Sequence, residues 1–168
     1  MPKQFLPLFE NKTLLDLTIE RIKLLNKIKK PILVSSRDHS FILNNALNKH
    51  DLRASLILEP LGRNTTAAIY LSAKNSDPND VLVIMSADAF ISDNHYFARK
   101  INDVFNKIDP SNWLIFGIKP KYPAEQYGYI NVDLKDTGKL QNFYKVLDFI
   151  EKPSKKNAEI MVKNESFF

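Results

Sequence analysis

The apolar positions change their period along the chain. Between residues 14 and 28, Leu15, Ile19, Ile22 and Leu25 recur at steps of three and four, which predicts an amphipathic helix. "PILVSS" (31–36) is a short β-branched run and predicts a buried strand. Helical spacing returns over 39–49 with Ile42, Leu43, Ala46 and Leu47 facing inward, and Asp38 or Ser40 can start that helix. "ASLILEP" (54–60) predicts the next strand, 64–75 a helix, and "DVLVIMSAD" (80–88) a strong strand. Phe97, Ile101, Val104, Phe105 and Ile108 place a helix over 94–108, and "WLIFGIKP" (113–120) predicts another strand. Strands separated by helices of about a dozen residues are βαβ units, so the fold class is α/β with a mostly parallel sheet. The runs 31–34, 56–58 and 81–85 show no alternation, as in strands buried on both faces.

After Pro120 the rhythm changes. "YGYINVDLK" (127–135) and "NFYKVLDFIEKP" (142–153) predict two strands joined through Asp136-Thr137-Gly138, a hairpin-like turn. A helix over 154–164 follows, with Ser154 as its cap. Ser166-Phe167-Phe168 puts two aromatics at a terminus, where a chain is expected to fray, so they are expected to be exposed and the end looks cut.

Composition narrows the classes. A chain of 168 residues, 44% apolar and 26% charged, suits one soluble domain with a real core. The absence of cysteine excludes disulfides and thiolate metal sites and suits the cytoplasm. No apolar run approaches the roughly 20 residues of a membrane span, and the first dozen residues lack a signal-peptide core. The net charge of +5 raises nucleic acid as a partner, but the lysines are scattered and form no long basic tract. An acidic small molecule such as a phosphate ester would use only a few of them.

Candidate chemistry gathers at predicted strand ends, where open α/β sheets bind ligands. Glu59 leads into Gly62-Arg63-Asn64-Thr65 at a helix entry, which reads either as an anion site or as capping by Asn64 or Thr65. Asp88 follows "VLVIM" and can hold Mg²⁺ or cap the next turn. Glu151-Lys152-Pro153 ends the last strand, where lysine offers a point charge for phosphate or simply faces solvent. Gly128 between Tyr127 and Tyr129 suggests close backbone approach by another molecule, or a bulge. There is no Walker loop, no G-x-G-x-x-G and no nucleophile elbow. His39, His50 and His95 lack metal spacing and read as surface or capping residues.

These pieces resemble one family. "LEPLGRNTTAAI" is similar to the EPxGRNTAPAI segment of mannose-1-phosphate guanylyltransferases, and "VLVIMSAD" to their strand ending in P-[AS]-D-H. "YPAEQYGYI" looks like their P-E-T-G-Y-G-Y-I, "FIEKPSKKNAE" like their F-x-E-K-P segment, and "PKQFLPLFENKTLLDLTIERI" like the stretch after their phosphate-binding signature. Five motifs fall in the family's order over nearly the whole chain. The resemblance implies a Rossmann-like nucleotide-diphospho-sugar transferase fold, incomplete, with helices on both faces and a β-hairpin-like insertion near 127–152. Residues 1–168 would form one partial nucleotidyltransferase domain. It implies transfer from GTP to mannose 1-phosphate, giving GDP-mannose and pyrophosphate with Mg²⁺. By the same resemblance Lys3 approaches the nucleotide phosphates, and Glu59, Gly62, Arg63, Asn64 and Thr65 line the nucleotide pocket. The resemblance likewise implies that Asp88 would be a metal ligand. Tyr127, Gly128 and Tyr129 shape the sugar pocket, Glu151 binds sugar hydroxyls and Lys152 the sugar phosphate. A homodimer is an expectation from the family alone.

Departures accompany the match. The family's glycine-rich loop with arginine, G-G-x-G-x-R-[LM]-x-P-L, is absent, and its strand would normally lie mid-sheet. The family also continues beyond "ESFF" to a second metal-binding acid. Ala89 stands at the family's histidine and Gln126 at its first glycine. The isolated chain is therefore expected to be nearly inactive. Two other readings remain open: a pyrophosphorylase for another nucleotide and hexose pair, and a non-catalytic domain that binds a nucleotide sugar or a partner subunit.

Overall fold

The computed structural model describes every residue except 10, 63, 106, 110 and 136–142, and only the backbone of residue 9. Two compact units divide the chain, Met1–Asn112 and Trp113–Phe168.

The first unit starts with a 3-10 turn at Lys3–Phe5, followed by a short antiparallel pair, β1 (Pro7–Phe9) and β2 (Lys12–Thr13). Helix α1 (Leu14–Ile22) opens on a capping box in which Thr13 and Asp16 each bond the other's backbone N–H. Asp16 is buried and also accepts from Lys49 at 2.9 Å and contacts His50 Nε2 at 2.6 Å. Burial pushes its pKa up, but bonds from the Thr13 backbone, Lys49, His50 and the Thr13 hydroxyl outweigh that and hold it well below the usual carboxylate range. His50 is the C-terminal cap residue of helix α2 (Ser40–Lys49), as its position near a helix end predicts. Helix α1 stops at Ile22 rather than running to 28, because Leu24 and Leu25 bond three residues back and Lys27 turns left-handed at φ 55°.

Strands β3 (Ile32–Ser36) and β4 (Ser55–Glu59) pair in parallel, with Ile32 opposite Ser55 and Ser36 opposite Glu59. Helix α2 connects them, and α3 (Asn64–Lys74) leaves β4. Helix α4 (Asn94–Phe105) follows, with the Tyr96 N–H held by Asp93 Oδ1 at 2.7 Å. One core joins Phe5, Leu15, Ile19, Leu43 and Leu47 beneath Leu33, Leu56 and Leu58, which places α1 and α2 on one face of the ladder. A smaller cluster joins Leu25, Ala98 and Ile101.

Residues 80–88 differ from expectation. The apolar run forms no β-ladder, and the side chains of Val81 to Ile84 are exposed, Ile84 at 52%. Among the described residues no backbone hydrogen bond engages 81–86. Strands β3 and β4 are likewise half-buried rather than fully buried. The cause is local. A cavity of about 640 Å³ lies between β3 and the 81–85 run, so neither has a neighbour on that edge. An apolar run permits a strand, but only a partner's N–H and C=O groups make one.

In the second unit, β5 (Gly128–Asp133) and β6 (Lys145–Glu151) form the expected antiparallel pair, with Gly128 opposite Glu151. The predicted turn at 136–138 lies outside the described residues. Helix α5 (Lys155–Lys163) is capped by Ser154, whose hydroxyl accepts from the Asn157 N–H. Tyr129, Ala158 and Met161 form the core of this unit. Residues 113–120 form no ladder, with Trp113 and Ile118 more than 80% exposed. The chain end also departs from expectation. Phe168 exchanges both backbone bonds with Ile130, Ser166 accepts from Val132, and Phe167 packs on the unit's core. Pairing with the free edge of β5 holds the two aromatics half-buried instead of frayed.

The architecture is α/β with parallel and antiparallel pairing and no barrel, the nucleotidyltransferase fold. Among the described residues no helix is long and apolar enough to cross a membrane.

Candidate functional site

The first unit places six of the sequence-predicted residues: Glu59, Gly62, Asn64 and Thr65 at or after the end of β4, Lys3 on the first 3-10 turn, and Asp88 just after the 81–86 run. Phe5 is buried in the main core with its ring 5.1 Å from His39, and this anchor fixes the 3-10 turn that carries Lys3. Lys3 Nζ then lies 2.8 Å from Asp88 Oδ2. The Ser86 hydroxyl also donates to Asp88. Lys3 and then Ser86 hold the Asp88 carboxyl below its ordinary pKa, so it is an anion at neutral pH. Both partners are partly open to solvent, the Asp88 side chain at 38%, so a ligand can reach the pair.

Glu59 ends β4 opposite Ser36 of β3, half-buried. A Cβ on Gly62 would meet nothing within 4 Å, so packing within the chain does not require glycine there. Asn64 opens α3 with a left-handed φ of 54°, a conformation that asparagine tolerates. Thr65 lines the large cavity together with Gln4 and Ala87, the neighbours of Lys3 and Asp88. Arg63 lies outside the described residues.

Sequence reasoning missed Arg21. It is buried at 1% exposure, donates from Nε to Asn94 Oδ1 at 2.9 Å, and sits 5.5 Å over the Phe97 ring. A second nitrogen reaches the Ala89 carbonyl at 3.4 Å, so Arg21 supports the segment immediately after Asp88. Burial lowers its pKa from the ordinary arginine value. The signal was available: Arg21 follows Leu14 and Thr18 at steps of four and three, on a buried face.

In the second unit Gly128 has a reason within the chain. A Cβ there would run into the Phe149 ring and lie 2.9 Å from Glu151 Oε2. Tyr129 is buried, and its hydroxyl accepts from the Ala124 N–H at 2.9 Å, so it supports the 124 turn from within the core. Tyr127 is 58% exposed. Its carbonyl accepts from the Lys152 N–H at 3.1 Å, and Lys152 Nζ lies 3.3 Å from Glu151 Oε1. Lys152 has φ 47°, immediately before Pro153. A left-handed lysine costs on the order of 1 kcal/mol or more, and such strain collects at functional sites.

Among the described residues no cluster of three or more His, Asp or Glu can hold a metal ion. Asp88 fits a sparser arrangement. Mg²⁺ often takes one or two carboxylates and fills its shell with water and phosphate oxygens. An ionised, solvent-reachable carboxylate beside a lysine is suited to that role.

This α/β architecture, with an ion pair at the carboxyl end of a strand-like segment, belongs to the class of proteins that take ligands at strand ends. The family model described as nucleotidyl transferase matches residues 1–168, and the chain belongs to that family. A Vibrio cholerae protein provisionally named mannose-1-phosphate guanylyltransferase is 36% identical over 165 residues, covering 94% of this chain and 34% of its own. The mannose-1-phosphate guanylyltransferase of Klebsiella pneumoniae is 32% identical, covering 99% of this chain and 36% of its own. The chain thus spans about a third of the length of these curated relatives. A Helicobacter pylori crystal structure titled mannose-6-phosphate isomerase superposes with a TM-score of 0.85 at 29% identity, over 99% of this chain and 62% of that one. The likeness to guanylyltransferases carried by the five motifs is met by relatives bearing that name.

Proposed function

We propose that the chain carries part of a sugar-1-phosphate nucleotidyltransferase centre that uses GTP, mannose 1-phosphate and Mg²⁺ to form GDP-mannose and pyrophosphate. The observation that carries this reading is the Lys3–Asp88 pair at 2.8 Å, in a chain of the nucleotidyl transferase family. An oxygen of the sugar phosphate attacks the α-phosphorus, a new P–O bond forms, and the bond to the β-phosphate breaks with its electron pair leaving on pyrophosphate. The attacking oxygen is already anionic, so no histidine or cysteine base is needed. Mg²⁺, when bound at Asp88, would neutralise phosphate charge. Lys3 would release Asp88 and turn its ammonium to the nucleotide phosphates. Glu59, Gly62, Arg63, Asn64 and Thr65 would meet base and ribose, with the open space around Gly62 admitting close backbone approach. In the second unit Tyr127 and Gly128 would face the sugar, with Tyr129 buttressing them, Glu151 taking hydroxyls and Lys152 the phosphate. Catalysis of this kind is positioning and charge neutralisation.

A second reading is a non-catalytic nucleotide-sugar-binding or partner-binding domain. It is favoured by Ala89, which stands next to Asp88 where the family has a histidine. Calorimetry with GDP-mannose, GDP-glucose, UDP-glucose and ADP-glucose, alongside pyrophosphate release from GTP plus mannose 1-phosphate, tests both. The expected result is preference for GDP-mannose, weakened at least about tenfold by Lys152→Ala, with slow pyrophosphate release. Binding without any release selects the second reading. Equal affinity for all four nucleotides defeats the guanylyl and mannosyl assignment.

A further inference from the structure

Arg21 is a buried cation, at 1% exposure, and among the described residues no carboxylate pairs with it. Burying a charge without a counter-ion is costly, and an apolar side chain of similar volume would fill the same place at less cost. Packing therefore does not account for an arginine here; its directed bonds do. We infer that Arg21 is a positioning residue for the Asp88 carboxylate. From helix α1 it holds the Ala89 carbonyl and so fixes the segment that presents Asp88 to a divalent cation. The inference rests on the proposed reading of Asp88 as the metal-binding acid.

Residues 85–89 are gripped at three points. Met85 packs against the cluster of Leu25, Ala98 and Ile101, and Ala87 packs against the core that contains Phe5 and Ile19. Both of these grips are apolar and precede Asp88. After it, a guanidinium nitrogen of Arg21 donates to the Ala89 carbonyl at 3.4 Å. Without that bond the carboxylate would be fixed from one side only.

The arginine is itself aimed. Its Nε donates to Asn94 Oδ1 at 2.9 Å, at the first residue of α4, and its guanidinium lies 5.5 Å from the centre of the Phe97 ring. The N–H groups of a guanidinium are fixed in one plane, so the bond to Asn94 directs the other nitrogen towards Ala89. A lysine would carry the charge without the fork. Helices α1 and α4 together thus set where Asp88 stands.

Charge and position pull in opposite directions, which separates the two roles. Deleting a nearby positive charge favours a divalent cation, whereas loosening its carboxylate weakens the site. The probe is Mn²⁺, titrated into the full 168-residue chain with GDP-mannose present and read by loss of the free-ion EPR signal, with thermal melts alongside. Arg21→Met should weaken Mn²⁺ binding by at least about tenfold, and Arg21→Lys should fail to restore it although the charge is kept. Asn94→Ala releases the fork at a half-buried position and should weaken binding by a smaller factor; it decides the question if Arg21→Met does not fold. GDP-mannose affinity without metal should match the wild type in each folded variant. Wild-type or tighter Mn²⁺ binding in Arg21→Met or, failing that, in Asn94→Ala, while Asp88→Asn loses it, overturns the inference and leaves the metal reading standing. Unchanged binding in Asp88→Asn, or none in the wild type, removes that reading and the inference with it.

Discussion

Two apolar runs in the first unit invite the same reading and end differently. "PILVSS" becomes β3, in register with β4 over five residues. "VLVIM", the more apolar of the two, runs beside a cavity without a ladder and leaves Ile84 half exposed. Composition is not the difference. Strand β3 has β4 beside it, one short helical connection away, whereas residues 81–86 face an edge that nothing described occupies. Hydrophobicity sets where a segment can be buried, and the hydrogen-bonding neighbour decides whether it is a strand.

The largest effect that sharpens this comparison is a pair of truncations. Ile19→Ala removes a fully buried side chain of the closed core and should cost about 2–5 kcal/mol. Val83→Ala, on the open run, should cost under about 1 kcal/mol, within the range of exposed sites. Urea unfolding of both variants measures the gap, and equal losses would mean that the 81–86 run is packed in solution.

Asp16→Asn comes next, at about 2–3 kcal/mol near neutral pH, because charge-assisted bonds to a buried carboxylate are lost. The sign follows from a depressed carboxyl pKa. Its stabilisation is present above the unfolded value of about 3.9 and lost as pH falls towards the folded value. The gap between wild type and Asp16→Asn should therefore be full at pH 6 and shrink below about pH 4, as followed by thermal melts.

Lys152→Gly relieves the left-handed backbone and should raise stability by about 1 kcal/mol or less, while weakening GDP-mannose binding. A stability gain with unchanged affinity would make the strain incidental. The smallest effect belongs to Lys3→Ala. Its ion pair with Asp88 is largely exposed, so stability should change by under about 1 kcal/mol, and any larger loss in nucleotide affinity reports function rather than folding.

Much of this was legible from spacing. The α1 stripe at Leu15, Ile19 and Ile22, the β3 and β4 runs, the antiparallel pair around Gly128 and Glu151, and the Ser154 cap are local signals, and each is found in the structure. What failed needed distant partners. The ladders expected at 80–88 and 113–120 depend on neighbours that a run of apolar residues cannot announce. The pairing of Phe168 with Ile130 spans a long sequence separation, so Ser166-Phe167-Phe168 read as a fraying end. At the site, Lys3 and Asp88 were each picked by motif, but their meeting at 2.8 Å depends on Phe5 anchoring the first turn. Arg21 hid among polar letters, although it shares a buried helical face with Leu14 and Thr18.

The account's central functional claim is that Asp88 carries the metal for a nucleotide ligand. Calorimetric titration of GDP-mannose with and without Mg²⁺, in the wild-type chain and in Asp88→Asn, tests it most directly. The account predicts that Mg²⁺ tightens binding to the wild type by at least about tenfold and leaves Asp88→Asn unchanged. Equal tightening in both proteins would contradict it.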